Sequence, residues 1–252
     1  MDIRVVYSVV DALKIAKENP DKKIIFLGIG FETTAPTLAA TIKMAKERNI
    51  QNFFVFSGHK LIPPAMEALV NGQGLRIDGF ICPGHVSTII GSRPYEFIAA
   101  EYNIPCVVAG FEPLDIMQAI FMLTQEIVEK RPPKVQIQYS RSVKEEGNLK
   151  ALDLMEEVFE IKDSMWRGLG DIPESGLKIR EDFSSFDAEA NIEVEVEETE
   201  ENKGCICGPI LRGIKAPLDC KLFRKECSPE NPVGACMVSS EGTCAAYFKY
   251  AD

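Results

Sequence analysis

Six of the eight cysteines in this 252-residue chain, Cys205, Cys207, Cys220, Cys227, Cys236 and Cys244, fall within 40 residues near its C-terminal end. Thiolates bind soft metals, exchange electrons or cross-link, so three chemistries compete for them. Disulfides suit small secreted domains. Structural zinc favours two CxxC-like pairs around one tetrahedral ion, whereas the one close pair here is Cys205-Ile206-Cys207. An iron–sulfur cluster needs four thiolates that reach around a cube with no paired spacing. The dispersed spacings of 13 or 15, 7, 9 and 8 residues fit the cluster best. The zinc- or cluster-stabilised interaction module without redox work stays open beside it.

Chemistry-bearing residues also punctuate the first half. GIGFETTAP (28–36) places Glu32, Thr33 and Thr34 between an apolar run and a helical pattern. Free backbone N–H groups at such a junction favour an anion or a capping threonine. A nucleotide fingerprint is absent, because Thr33 stands where the third glycine should be and no Walker lysine follows. His59 and His85, the only histidines, each follow an apolar run, and Glu112 and Asp115 open another helix in GFEPLD. If the runs are parallel strands, all four loops share the edge at which such sheets bind ligands. The bland readings are a structural hydrogen bond for each histidine and helix-start chemistry for Asp115. Cys106 reads as core, and Cys82, beside Pro83, Gly84 and His85, as an inert thiol that could also face a cleft.

The elements that must position these residues alternate along the chain. Strands are expected at IRVVYS (3–8), KIIFLGIG (23–30), NFFVFS (52–57), DGFIC (78–82) and IPCVVAG (104–110), each followed by a helical pattern. Continuous Val/Ile/Phe runs between helices predict a parallel sheet covered on both faces, a Rossmann-like doubly wound α/β domain over residues 1–130. A connecting segment, 131–202, holds a strand at 134–143, a helix at 148–161, the turn-rich WRGLGDIPESGLKI and an acidic loop in which IEVEVE alternates like an exposed strand. The cysteine-rich module occupies 203–252.

Hydrophobic residues make up 46% and charged residues 26%, as in ordinary globular proteins. The net charge of −10 is local: ten acids and no base lie between Arg180 and Lys203, and the remaining 28 acids match 28 Lys and Arg. No basic stripe suggests a nucleic-acid face, and no apolar run approaches the ~20 residues of a membrane span. The charged N-terminus lacks a signal-peptide core, so a cytoplasmic location is expected, which argues against stable disulfides.

CGPILRGIKAPLDCKLFRKECSPENPVGACMVSSEGTCAAYFKY (207–250) resembles the C-terminal motif of the HypD family of NiFe-hydrogenase maturation factors. GIGFETTAP, SGHKLIPPAM, DGFICPGHVSTIIGSRPYEF and VAGFEPLDIMQAI are similar to that family's internal motifs, in the same order. The resemblance implies a 4Fe-4S cluster held by Cys220, Cys227 and Cys244, with Cys205 or Cys207 as the fourth ligand. Cys236 is then a small buried residue; the Ser and Glu of MVSSEGTC, at a turn beside Cys244, read either as hydrogen-bond partners around such a cluster or as a simple helix cap. It also implies a scaffold role with HypC- and HypE-like partners, on which iron becomes Fe(CN)2CO. Glu32 and the threonines would line a cleft near the iron-carrying partner. Family members begin with CGxH-type and GPGCPVC-like cysteine motifs that do not occur here. The chain is therefore expected to be a fragment, one half of a split protein or a truncated relative with an altered role, and a separate polypeptide could supply that N-terminal region.

Overall fold

The structure, a computed structural model, describes residues 2–195 and 202–251. Ser8 starts the first helix, α1 (Val9–Glu18), through a capping box with Asp11: its hydroxyl accepts from the Val10 N–H while the Asp11 carboxylate accepts from the Ser8 N–H. The strand expected at 3–8 does not form. Among the described residues no strand meets its amides, and Ile3, Val5 and Tyr7 are exposed.

β1 (Ile24–Gly30) and β2 (Phe53–His59) flank α2 (Ala35–Glu47) and pair in parallel, with Ile24 opposite Phe53 and Gly30 opposite His59. After α3 (Ile62–Val70), a second parallel sheet of order β3-β4-β5 is built from β3 (Phe80–Pro83), β4 (Cys106–Ala109) and β5 (Val135–Ile137). Its connections carry α4 (Gly84–Ile90), α5 (Glu96–Tyr102) and α6 (Pro113–Val128). The parallel strands therefore fall into sheets of two and three among the described residues, where one continuous sheet was expected. Gly91, at φ +80°, breaks the long helical pattern at 86–103 between α4 and α5; a Cβ there would lie 2.1 Å from the Glu145 carbonyl oxygen.

The helix expected at 148–161 stops early. α7 (Leu149–Val158), capped by the Asn148 side chain on the Ala151 N–H, gives way to β6 (Phe159–Trp166). β6 pairs antiparallel with β7 (Gly170–Ile179), so the turn-rich stretch is a hairpin with glycines at positive φ at 168 and 170. Met155, Val158, Phe159, Leu177 and Ile179 pack into the same core as Leu13, Leu38, Ile42, Phe53 and Val55. This hairpin thus covers one face of β1–β2. The other face is bare: Leu27 is 63% and Ile29 71% exposed, with Ile25 and Phe56 beside them. A second core gathers Met66, Cys82, Tyr95, Ile98, Cys106 and Val108 around β3–β5. Cys82 and Cys106 are fully buried in it.

α8 (Ala188–Asn191) is followed by residues 192–195, which form no strand; the rest of the expected IEVEVE strand lies outside the described residues. The chain closes with α9 (Cys207–Leu211), α10 (Ala235–Val238) and α11 (Thr243–Tyr250). Their shared core holds Ile210, Leu222, Phe223, Met237 and Ala245 among the cysteines. Arg212 donates to the Gln73 carbonyl (3.2 Å) and Arg167 to that of Val233 (2.7 Å), tying this region to the α/β body.

Candidate metal centre and loop sites

Five thiols, Cys205, Cys207, Cys220, Cys227 and Cys244, line one pocket, together with apolar side chains that include Ile210, Leu222, Phe223 and Met237. No carboxylate or imidazole lines it. The donors are thus all soft sulfurs in a dry, apolar wall, a set that fits an iron–sulfur cluster or another thiophilic metal. Among the described residues no three His, Cys, Asp or Glu are arranged around a single metal ion.

Local chain geometry explains the convergence. The Cys205 thiol donates to Cys207 Sγ at 3.3 Å, and a Cβ on Gly234 would lie 2.4 and 2.5 Å from these two sulfurs, so only glycine leaves room for them. The Val233 N–H donates to Cys227 Sγ at 3.4 Å. Cys236 is hydrogen-bonded to Cys207 and to Cys244. Burial, then the bond to Cys207, pushes the Cys205 thiol up to about 11, and burial pushes Cys244 to about 11 as well. Hydrogen bonding to Cys236, then burial, raises Cys207 further. A metal must therefore displace protons from these thiols on binding.

The loops after β1 and β2 share one network. Thr34 occupies the N-cap of α2 without capping it; its Oγ1 instead shares a 2.9 Å hydrogen bond with His59 Nε2. Thr33 is half-buried. Glu32 caps another helix altogether. α3 begins Ile62-Pro63-Pro64, so Ile62 carries the only N–H of those three residues, and Glu32 Oε1 accepts it at 2.9 Å. Glu32 and His59 are each 2% exposed, and Glu32 Oε2 and His59 Nδ1 lack partners. Desolvation raises Glu32 to about 7 and lowers His59 to about 4.

The loops after β3 and β4 form a second group. Asp115, whose side chain is 5% exposed, accepts both Arg141 guanidinium nitrogens (2.9 and 2.7 Å) and Gln138 Nε2 (2.9 Å). Arg141, then Gln138, holds its carboxyl down at about 2. Glu112 is exposed, 3.5 Å from the same guanidinium, and His85 is exposed with its ring 4.4 Å from that of Phe111. No hydrogen bond or ion pair among the described residues joins the two groups. Sequence reading missed Arg141 and Gln138, because nothing local marks a residue 26 or 23 positions away as the partner of Asp115.

The fold and pocket define an α/β protein with parallel-strand sheets and a cysteine-rich C-terminal region compatible with an iron–sulfur cluster. The chain belongs to the HypD family: the family model, described as the hydrogenase formation hypA family, matches residues 1–251. It is 49% identical to hydrogenase maturation factor HypD2 of Bradyrhizobium diazoefficiens and to HypD of Cupriavidus necator, over 99% of this chain and 67% of each relative. It is 47% identical to a putative hydrogenase expression/formation protein of Methanocaldococcus jannaschii, over 99% of this chain and 69% of that one. No helix among the described residues is long and apolar enough to cross a membrane.

Proposed function

We propose that this chain is the cluster-bearing part of a HypD-type scaffold in NiFe-hydrogenase maturation, acting in the cytoplasm with HypC- and HypE-like partners. The observation that carries the reading is the gathering of five tail thiols on one apolar pocket. Cys220, Cys227 and Cys244 hold a 4Fe-4S cluster, and the fourth thiolate comes from Cys205 or Cys207, with Cys236 close enough to both Cys207 and Cys244 to compete. Bound there, the cluster supplies single electrons for assembly of Fe(CN)2CO, the iron group that is the scaffold's cargo. The chain's own residues hold the thiols together through Gly234, exclude water with Leu222, Phe223 and Met237, and offer the Val233 N–H to Cys227 sulfur, a bond that tunes such clusters. The two parallel sheets act as Rossmann-like α/β units carried by residues 1–130, with β5 added from the connecting segment 131–202, whose hairpin braces them, and 203–252 form the cluster module. Exposed Thr34 on one rim, and exposed His85 and Glu112 on the other, are the surfaces offered to cargo-carrying partners, while buried Glu32, His59 and Asp115 position the loops that carry them.

Anaerobic purification followed by iron, sulfide and zinc analysis, with visible and EPR spectra, tests this directly. About four irons and four sulfides per chain, lost in Cys220→Ala and Cys227→Ala, are the expected result. Zinc alone, or a folded chain with no metal, would leave the tail as a structural staple for an interaction module.

A further inference from the structure

We propose that α6 pairs with α6 of a second copy of this chain, antiparallel and across a two-fold axis at Phe121. The pairing is independent of the cluster reading. α6 turns its charges inward and its apolar residues outward. The inner stripe, Ile116, Ala119 and Leu123, packs on Val107 and Ala109 of β4. Both acids of the helix face the same way: Asp115 holds Gln138 and Arg141, and Glu126 accepts the Lys134 N–H (2.9 Å) and a Gln136 side-chain N–H. The outward side therefore carries no charge from residue 113 to residue 128. Leu114 (76% exposed), Phe121 (65%) and Val128 (72%) line it with Met117, and Ile120 and Ile127 flank them. A helix apolar on two opposite sides calls for cover on both. These six residues expose on the order of 700 Å², close to the roughly 800 Å² that each half of a stable complex buries.

Spacing selects the occupant. Leu114, Phe121 and Val128 recur every seven residues, with Met117 and Thr124 between them, which is the seam one helix presents to another. That seam is also symmetric about its middle. In an antiparallel pair centred on Phe121, Leu114 faces Val128 of the second copy, Gln118 faces Thr124, and Phe121 meets its own counterpart. Apolar thus meets apolar and amide meets hydroxyl on both sides of the axis, as an isologous contact requires. Past the helix ends the same register brings exposed Glu112 level with exposed Lys130, so opposite charges close each end. The two helix dipoles oppose each other as well. Outside residues 181–202 the acids and bases of the chain balance, so the two bodies bring no net repulsion to the contact. An unrelated helix would owe nothing to this symmetry, which is why a second copy is the occupant.

The test is sedimentation of the whole chain under reducing conditions, from about 1 to about 100 μM. The mass should rise from 28.0 kDa to twice that value. Phe121→Asp and Phe121→Lys each set like charges against each other on the axis and should weaken the dimer roughly 100-fold or more. Mixed one to one, they should associate, because aspartate then meets lysine. Val128→Asp, at the far end of the seam, is a second variant that should stay monomeric with the parent's circular dichroism. A parent that remains monomeric throughout the range overturns the proposal and leaves the face to a different protein. A dimer that survives Phe121→Asp and dissolves in Leu27→Lys lies on β1 and overturns it equally. A mixture of the two Phe121 variants that stays monomeric overturns the two-fold register.

Discussion

Glu32→Gln is the most informative single change outside the cysteines. In the native chain the carboxyl is raised from 4.5 to about 7, chiefly by desolvation, so the folded state binds a proton between those values that the unfolded state has released. Stability from this group is therefore fully present below pH 4.5 and is lost as pH rises through 7, by roughly 3 kcal/mol over the interval. Glutamine keeps the acceptor for the Ile62 N–H and cannot ionise. The variant should match the parent near pH 5 and exceed it at pH 8 by about 2–3 kcal/mol, measured by urea unfolding of the reduced, metal-free chain. His59 acts in the opposite sense: lowered from 6.5 to about 4, it costs stability as pH falls through that range. The two slopes offset each other in the parent below pH 6.5, and the variant should expose the His59 slope there. A Glu32→Gln difference that is the same at both pH values would refute the reasoning.

Arg141→Ala strips the nearly buried Asp115 carboxylate of its bidentate partner and should lower the melting temperature at pH 7. Because that carboxyl sits at about 2, its stabilisation is present above the usual carboxylate range and lost on acidification through 2, so the difference between variant and parent should narrow by pH 2–3. Gly91→Ala, which forces a Cβ onto the Glu145 carbonyl at positive φ, should cost about 1–3 kcal/mol in the same unfolding assay. Cys227→Ser should lose bound iron and the broad visible absorbance, whereas Cys106→Val, in the core of the β3–β5 sheet, should keep both.

Local signals marked several helix starts, because caps and prolines act within a few residues: Ser8 with Asp11, Asn148, and Pro63 each stand at one, whereas the end of α7 and the break at Gly91 were missed. Strands were legible where a neighbour pairs with them. IRVVYS has strand composition and no partner among the described residues, and 159–179 pairs as a hairpin whose glycine-rich middle reads as a loop. The tail cysteines announced themselves by density, and the five proposed as ligands share a pocket. What spacing could not reveal was direction: Thr34 turns to His59 instead of its own helix, Glu32 caps a helix 30 residues away, and Asp115 depends on an arginine from beyond β5.

The bare face of β1 carries a practical consequence. Among the described residues β1 pairs with β2 alone, so its outer edge offers an unmatched row of amides and carbonyls beside Ile25, Leu27 and Ile29. IIFLGIG has no charge and no proline over seven residues, the composition from which cross-β stacks nucleate. Lys22 and Lys23 guard only its leading end. Concentrated samples should therefore lose material first through this strand, and a lysine at position 27 is the substitution that would keep the chain dispersed.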